Sequence, residues 1–332
     1  MKNNIRISVT DLQSFYSCPR YWFWGRTWGP KTPIVHFWVG TGVHEGLDMY
    51  FRHNRSSEAC LDGFRTWVSK SLSDLERDQG EYWELIRDEF LTWGEKMFGI
   101  LENFVAYDLS VHPKYLQGRI ESVEEKLVLE IFPGVDLVMK ADLILEDQEG
   151  LKVIDHKTAS RDFSQEAVDL DDQLTAYVCL TSIIKQRLID RAFYNVIYKS
   201  VPQPPTQLTR GGLSKSKSQS TTYALYLNEI HRLGLDPSDY EDILSHFLQT
   251  GWSQYFREVG TYRNRTELEA FWIRASIKCH DILRAIEEPD VYAFPNPSSY
   301  SCSTCQFKIP CKLKNEGLDY ESVLKANFLE SR

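Results

Sequence analysis

The chain has 332 residues, of which 42% are hydrophobic and 13% aromatic, enough apolar content for a large core in one domain or two intimate lobes. No run of 18 apolar residues occurs, so no membrane-spanning helix is expected. A formal net charge of −9 argues against a uniformly basic nucleic-acid binder, although Lys185, Arg187 and Arg191, then Arg210, Lys215 and Lys217, then Lys308, Lys312 and Lys314, form local basic groups.

In chain order, residues 5–30 predict a helix that begins near Ser8 or Thr10 and breaks at Pro19 or within 25–30. The overlapping aromatic stretch from Phe15 to Trp38, with Trp22, Trp24, Trp28 and Trp38, could stack bases but reads better as core packing. Residues 40–110 carry apolar side chains at spacings of three and four, such as Leu47, Tyr50 and Phe51, and predict a helical lobe. From about 120 the pattern becomes strand-like, over 122–132, 135–146 and 151–158, followed by a helix over 165–185 and a strand over 191–198. The Pro-, Gly-, Ser- and Lys-rich stretch 202–222 predicts a mobile loop, either an inert linker or one that touches phosphates through Lys215 and Lys217, and helices are expected to return over 223–287.

The strands at 135–146 and 151–158 form a hairpin whose polar turn, Asp147 to Gly150, places Asp142 opposite Asp155 and Lys140 opposite Lys157. Alternation puts Val153, Asp155 and Lys157 on one face. Facing carboxylates repel unless a cation lies between them, and a divalent metal bound through oxygen meets that need. Two further polar groups accompany the hairpin. His44 sits in a helix opened by small residues, and Gln173 and Tyr177, four apart, share one helical face. Glu45, beside His44, points about 100° away on that helix and is left out.

Cys18 near the start, and Cys302, Cys305 and Cys311 in a C-x2-C-x5-C run near the end, are the second constellation. Four thiolates suit either a [4Fe-4S] cluster or a structural zinc, and spacing does not choose between them. The opening MKNNIRISVTDLQ carries no signal-peptide pattern, so a reducing, cytoplasmic setting is expected, that of a host cell if the chain is phage-encoded, and disulfides are disfavoured. Cys60, Cys179 and Cys279 read as small buried hydrophobes.

The order His44, Asp142, Asp155-x-Lys157, Gln173-x-x-x-Tyr177 resembles the RecB-like, Cas4-like branch of the PD-(D/E)xK nucleases, with Asp155 where many members carry Glu. The resemblance implies a mixed α/β, restriction-endonuclease-like core: a central mixed sheet flanked by helices. Around this core, the chain is expected to form one intertwined nuclease unit over 1–332. Within it lie a helical lobe (1–118), the core (119–200), a basic loop (201–222), a helical segment (223–289) and an iron–sulfur segment (290–332).

The implied activity is divalent-metal-dependent hydrolysis of DNA, as an exonuclease at ends or on single strands. Asp142, Asp155, Lys157, Gln173 and Tyr177 would be catalytic, and His44, Asp142, Asp155 and the His156 carbonyl would bind Mg²⁺ or Mn²⁺. The resemblance also selects a [4Fe-4S] cluster on Cys18, Cys302, Cys305 and Cys311, as in AddB-like proteins. Lys199, Arg210, Lys215 and Lys217 are the expected DNA contacts. No phosphate-loop motif occurs, so any helicase or recombination partner is another chain. The competing classes are a non-catalytic iron–sulfur DNA-binding scaffold and a CRISPR adaptation nuclease.

Overall fold

The computed structural model describes residues 4–30, 35–79 and 83–330. Ser8 ends strand β1 (Ile5–Ser8) and caps α1 (Val9–Ser17), where its side chain and that of Asp11 each accept from the other's backbone N–H. Pro19 then opens α2 (Pro19–Thr27), as proline does at a first helical position, and β2 (Trp28–Pro30) follows. Three long helices, α3 (Val35–Arg52), α4 (Ser57–Gln79) and α5 (Trp83–Val111), match the expected helical stretch.

The expected strands form β3 (Arg119–Phe132), β4 (Val135–Asp147) and β5 (Gly150–Ala159). The helix expected over 165–185 divides into α6 (Gln165–Asp169) and α7 (Asp172–Lys185), because Asp171 accepts from the N–H groups of Gln173 and Leu174 and starts a new helix. Buried Arg263 seals the break by donating to the carbonyl of Val168 and the hydroxyl of Thr175. β6 (Arg191–Tyr198) lies where the sequence placed it.

The segment read as wholly helical instead runs α8 (Tyr223–Arg232), α9 (Glu241–Thr250), β7 (Phe256–Tyr262) and α10 (Arg265–Glu287). β7 escapes a helical reading because Phe256 buries in one core and Val259 in the other while its backbone pairs with β6 along its length. Four short helices, α11 (Pro289–Tyr292), α12 (Ser299–Ser303), α13 (Lys308–Asn315) and α14 (Glu321–Asn327), lead to β8 (Phe328–Glu330).

The main sheet is mixed, in the order β1-β4-β5-β6-β7 with β3 also on β4; β1–β4 and β5–β6 are parallel and the other pairs antiparallel. Helices cover both faces. On one, α1, α7 and α10 enclose a core with Leu12, Leu137, Leu174, Val178, Ala275 and Ile282. On the other, α3 to α5 pack Leu47, Phe64, Leu101 and Phe104 over Leu143, Leu145, Ile154 and Phe193. This is the expected mixed α/β arrangement of a central sheet flanked by helices.

Segment 202–222 has little regular structure, as expected, but is tied down. Its turn closes through Leu208 N–H to the Gly212 carbonyl, and Leu213 is buried beside Tyr226, Tyr240 and Phe247. Trp22 and Trp24 are buried in cores; Trp38 lies outside the described side chains. Among the described residues no helix is long and apolar enough to cross a membrane.

Candidate metal centre and cysteine cavity

A fork in the sheet creates the centre. One side of β4 pairs with β1 from Val135 to Val138 and with β5 from Leu143 to Asp147, leaving Met139 to Asp142 between the two partners. The hairpin register is the expected one, with Leu143 across from Ile154 and Asp147 across from Gly150. The ladder stops one residue short of Asp142 and Asp155. Beyond it the strands splay and Tyr177 enters, its hydroxyl 2.7 Å from Asp155 Oδ1 and 3.2 Å from the Lys140 carbonyl oxygen. Lys140 consequently does not face Lys157; it pairs across β3 with Lys126.

On the other side of β4, Glu124 falls opposite Asp142 and takes a left-handed backbone, φ 54°. Such a conformation costs a non-glycine residue about 1–2 kcal/mol. It coincides with a reversal of facing. Leu137, Met139 and Ala141 pack in the α7 core, whereas Leu143 and Leu145 pack under α3 to α5, although strict alternation would keep all five together. Asp142 is therefore delivered to the border between the two cores.

α3 brings His44 to the same point. A side chain at Gly42 would collide with Trp67, and one at Gly46 with Leu101, so the glycines let α3 lie close to α4 and α5. His44 Nδ1 lies 3.4 Å from Asp142 Oδ2, while Glu45 is exposed. His44, Glu124 and Asp142 each offer a ligand atom within 4.8 Å of the others. Adjacent ligands of an octahedral Mg²⁺ are about 3 Å apart, so the group fits a hard divalent ion.

Asp142 Oδ2 also accepts the His156 N–H at 2.8 Å. Lys157 Nζ lies 2.7 Å from Asp155 Oδ2 and donates to Gln173 Oε1 at 3.2 Å, and Gln173 Nε2 donates to the Tyr177 hydroxyl at 3.3 Å. The structure thus gathers His44, Asp142, Asp155, Lys157, Gln173 and Tyr177 into one connected cluster.

Charge and burial pull these groups apart. Burial pushes Asp142 up, but the hydrogen bond and charge of His44, with His156 behind them, prevail and lower it to about 2. Asp155 moves the other way: burial, reinforced by Asp142 and opposed by Lys157, raises it. Its Oδ2 is buried without a well-formed hydrogen bond, an acceptor open to a cation. Burial disfavours charge on His44, yet Asp142 and then Asp155 raise its pKa.

His156 is held neutral by burial, its pKa pushed down to about 4. Phe51 stacks on its ring, and the Asn195 amide, oriented by the Tyr115 hydroxyl, donates to Nδ1 and leaves the ring proton on Nε2. That relay fixes the backbone between Asp155 and Lys157.

Sequence reading missed Glu124, one of several acidic residues in the strand expected over 122–132. Phe132 pairs with Val135 across the tight Pro133-Gly134 turn, but Glu130 pairs with Asp136, and this bulge is what brings Glu124 opposite Asp142. The turn alone would have placed Glu125 there; Glu125 instead pairs with Lys185 of α7.

The remaining expected contacts are dispersed. Arg210, Lys215 and Lys217 are exposed on the 202–222 loop, where Lys215 lies over the Tyr240 ring, and Lys199 follows β6, its backbone bonded to Ala159.

The two chain ends meet, with Trp24, Phe307, Leu324 and Phe328 packed together and β2 paired to β8. Cys18, at the α1–α2 junction, lines one cavity of about 270 Å³ with Cys302, Cys305 and Cys311. Burial, with the other three cysteines adding to it, raises the Cys305 thiol. The Asn296 N–H points at Cys18 Sγ (3.4 Å) and Arg20 at Cys311 Sγ (3.5 Å). The sulfurs are spread over the cavity wall: among the described residues no three lie within 4.8 Å of one another. Cys60, Cys179 and Cys279 are buried as expected, and burial pushes their thiols up to about 12, 11 and 12.

No curated protein matches the chain. Eleven chains of solved structures do. One, described as "Crystal structure of SSO0001", is 13% identical over 95% of this chain and 89% of its own, with a TM-score of 0.33. A family model for the PD-(D/E)XK nuclease superfamily matches residues 6–312, a span that includes every residue of the centre and all four cysteines of the cavity. The chain belongs to the PD-(D/E)XK nuclease superfamily of metal-dependent nucleases.

Proposed function

We propose that this nuclease hydrolyses DNA, acting as an exonuclease at ends or on single strands in recombination, repair or replication, and that it belongs to the RecB-like, Cas4-like branch. The observation that carries the reading is the joint cluster of His44, Glu124, Asp142, Asp155 and Lys157. Asp142 and Asp155, with His44, Glu124 and the His156 carbonyl, would hold Mg²⁺ or Mn²⁺. When bound, such an ion lowers the pKa of water and neutralises charge on the phosphoryl oxygens.

The chain's own groups do the rest. Lys157, half-buried and steadied by Gln173, orients the attacking water and meets the charge that develops on phosphorus. Tyr177 holds the Asp155 carboxylate in place and keeps its own proton, because burial and the two acids raise its pKa well above the usual value. The water oxygen bonds to phosphorus and gives a proton to solvent, the bridging P–O bond breaks, and the departing oxygen takes a proton from solvent.

For the cysteine cavity we propose a [4Fe-4S] cluster with a structural role, fastening α2 to the C-terminal segment. Its support is the all-thiolate donor set lining one cavity, together with the family resemblance carried by Cys18 and the C-x2-C-x5-C run.

The test combines three readouts: labelled linear and circular single-stranded DNA and duplex DNA incubated with Mn²⁺, the K157A variant in parallel, and iron content with the visible spectrum of anaerobically purified protein. Linear DNA should be degraded, circular DNA spared, and K157A inactive, with a brown, iron-containing protein. Cutting of circles removes the exonuclease assignment. A protein that binds DNA but cuts none supports the scaffold alternative, and a colourless zinc protein removes the cluster.

A further inference from the structure

Beside the metal centre lies a second cavity, of about 460 Å³, set between the start of α1 and the β3–β4 pair. Its polar wall is Ser8, Thr10, Lys126, Lys140, Gln173 and Tyr177. The last two also hold Lys157 and Asp155, so the cavity and the centre share a wall.

Lys126 and Lys140 are direct cross-strand partners. Like charges in that position destabilise a sheet unless an anion lies between or beside them. Lys140 is satisfied by Glu124, but among the described residues Lys126 has no ion-pair partner. Two opposed ammonium groups, one lacking a counter-ion, beside a volume within the range of small-molecule sites, form a receptor for a phosphate-bearing group. Val9 and Val138 add an apolar surface against which a sugar or base can rest.

We propose that this cavity is a nucleotide subsite. It takes the nucleotide next to the scissile phosphodiester, with its phosphate on Lys126 and Lys140. The inference rests on the reading of the metal centre as a DNA nuclease and adds the residues that grip the strand. It also couples the two sites. Glu124 is both the counter-ion of Lys140 and a member of the candidate metal group, so its turning to a metal frees the Lys140 ammonium for phosphate.

The experiment measures anisotropy of a fluorescein-labelled single-stranded oligonucleotide over a salt series, with Ca²⁺ in place of Mg²⁺. It compares wild type, K126Q, K140Q, K126Q/K140Q and a charge-matched control, K70Q/K325Q, at two exposed lysines elsewhere. The double variant should bind at least about tenfold more weakly, and its log–log salt slope should be shallower by about 0.7, the contribution of one neutralised phosphate on a single strand. The control should stay within about twofold of wild type.

K126Q alone should melt no lower than wild type, since it removes an opposed like charge; if the double variant fails to fold, the single variants carry the same comparison. A neutral methylphosphonate walked along the oligonucleotide should weaken wild type at one position and leave the double variant indifferent. Wild-type cleavage together with unchanged binding by K126Q/K140Q overturns the subsite and leaves the nuclease reading standing. A methylphosphonate effect spread evenly over all positions also overturns it. A wild type that neither binds nor cuts overturns both.

Discussion

Replacing Lys157 with methionine should tighten metal binding while abolishing cleavage, two effects of opposite sign from one side chain. Lys157 Nζ sits 2.7 Å from Asp155 Oδ2, the acceptor that otherwise has no well-formed hydrogen bond, so the ammonium competes with a divalent ion for that oxygen. Unit charges 4 Å apart interact by about 4 kcal/mol at an effective dielectric of 20 and about 1 kcal/mol in water. The Lys157 side chain is 28% exposed, which places the effective competition nearer about 1–2 kcal/mol, or roughly tenfold in Kd. Methionine keeps most of the stem's length and removes the charge, which lies over the Tyr194 ring. Calorimetric titration with Mn²⁺ should therefore give a Kd roughly tenfold lower than wild type. Single-turnover cleavage of labelled DNA should fall by about 10²–10⁴. A variant that loses metal binding and cleavage together would refute the reasoning, because Lys157 would then support the metal site rather than act beside it.

Further outcomes follow from the same geometry. Glu124→Gln should weaken Mn²⁺ binding by about 10–100-fold in titration calorimetry, the range typical when a metal site loses a supporting group, with little change in melting temperature without metal. Asn195→Leu should leave His156 Nδ1 buried and unpaired and take from the Tyr115 hydroxyl one of its two partners, costing about 1–3 kcal/mol in a urea melt, and should lower Mn²⁺ affinity through the His156 backbone. Asp147→Asn should cost about 2 kcal/mol, because buried Lys152 and Arg191 lose their counter-charge. Arg191 first, with Lys152, holds Asp147 well below the usual carboxylate range. Its contribution is therefore complete above about pH 4, the unfolded value, and is lost as pH falls through the lower folded value. Urea midpoints of wild type and D147N should accordingly converge as pH drops below 4. Cys305→Ser should release bound iron, measured by chelator assay, and expose the C-terminal segment to limited proteolysis, while Cys279→Ser, outside the cavity, should leave iron content unchanged.

Local pattern carried much of this architecture. The β4–β5 register followed from one polar turn and strict alternation, and Gln173 and Tyr177 fell on one face because helical spacing demands it. What escaped was set by tertiary contact. β1 has four residues, too few for periodicity to register, and it exists because its backbone pairs with β4. β7 hides between helices, since Phe256, Val259 and Thr261 bury at an irregular spacing and only pairing with β6 fixes them as strand. The α6–α7 break depended on Asp171 acting as a cap with Arg263 arriving from more than ninety residues away. Glu124 was hidden by a one-residue bulge, and Lys140 was assigned the wrong neighbour because splaying of the strands beyond Leu143 is invisible to a register count.

A divalent ion bound between α3 and the forked sheet is what the chemistry requires. Anomalous diffraction from crystals soaked in Mn²⁺ tests it directly: a peak should lie within about 2.0–2.3 Å of an Asp142 oxygen, with an Asp155 oxygen and a His44 nitrogen also in its shell. Well-ordered side chains at those three positions with no peak between them, at a Mn²⁺ concentration that supports cleavage in solution, would contradict it.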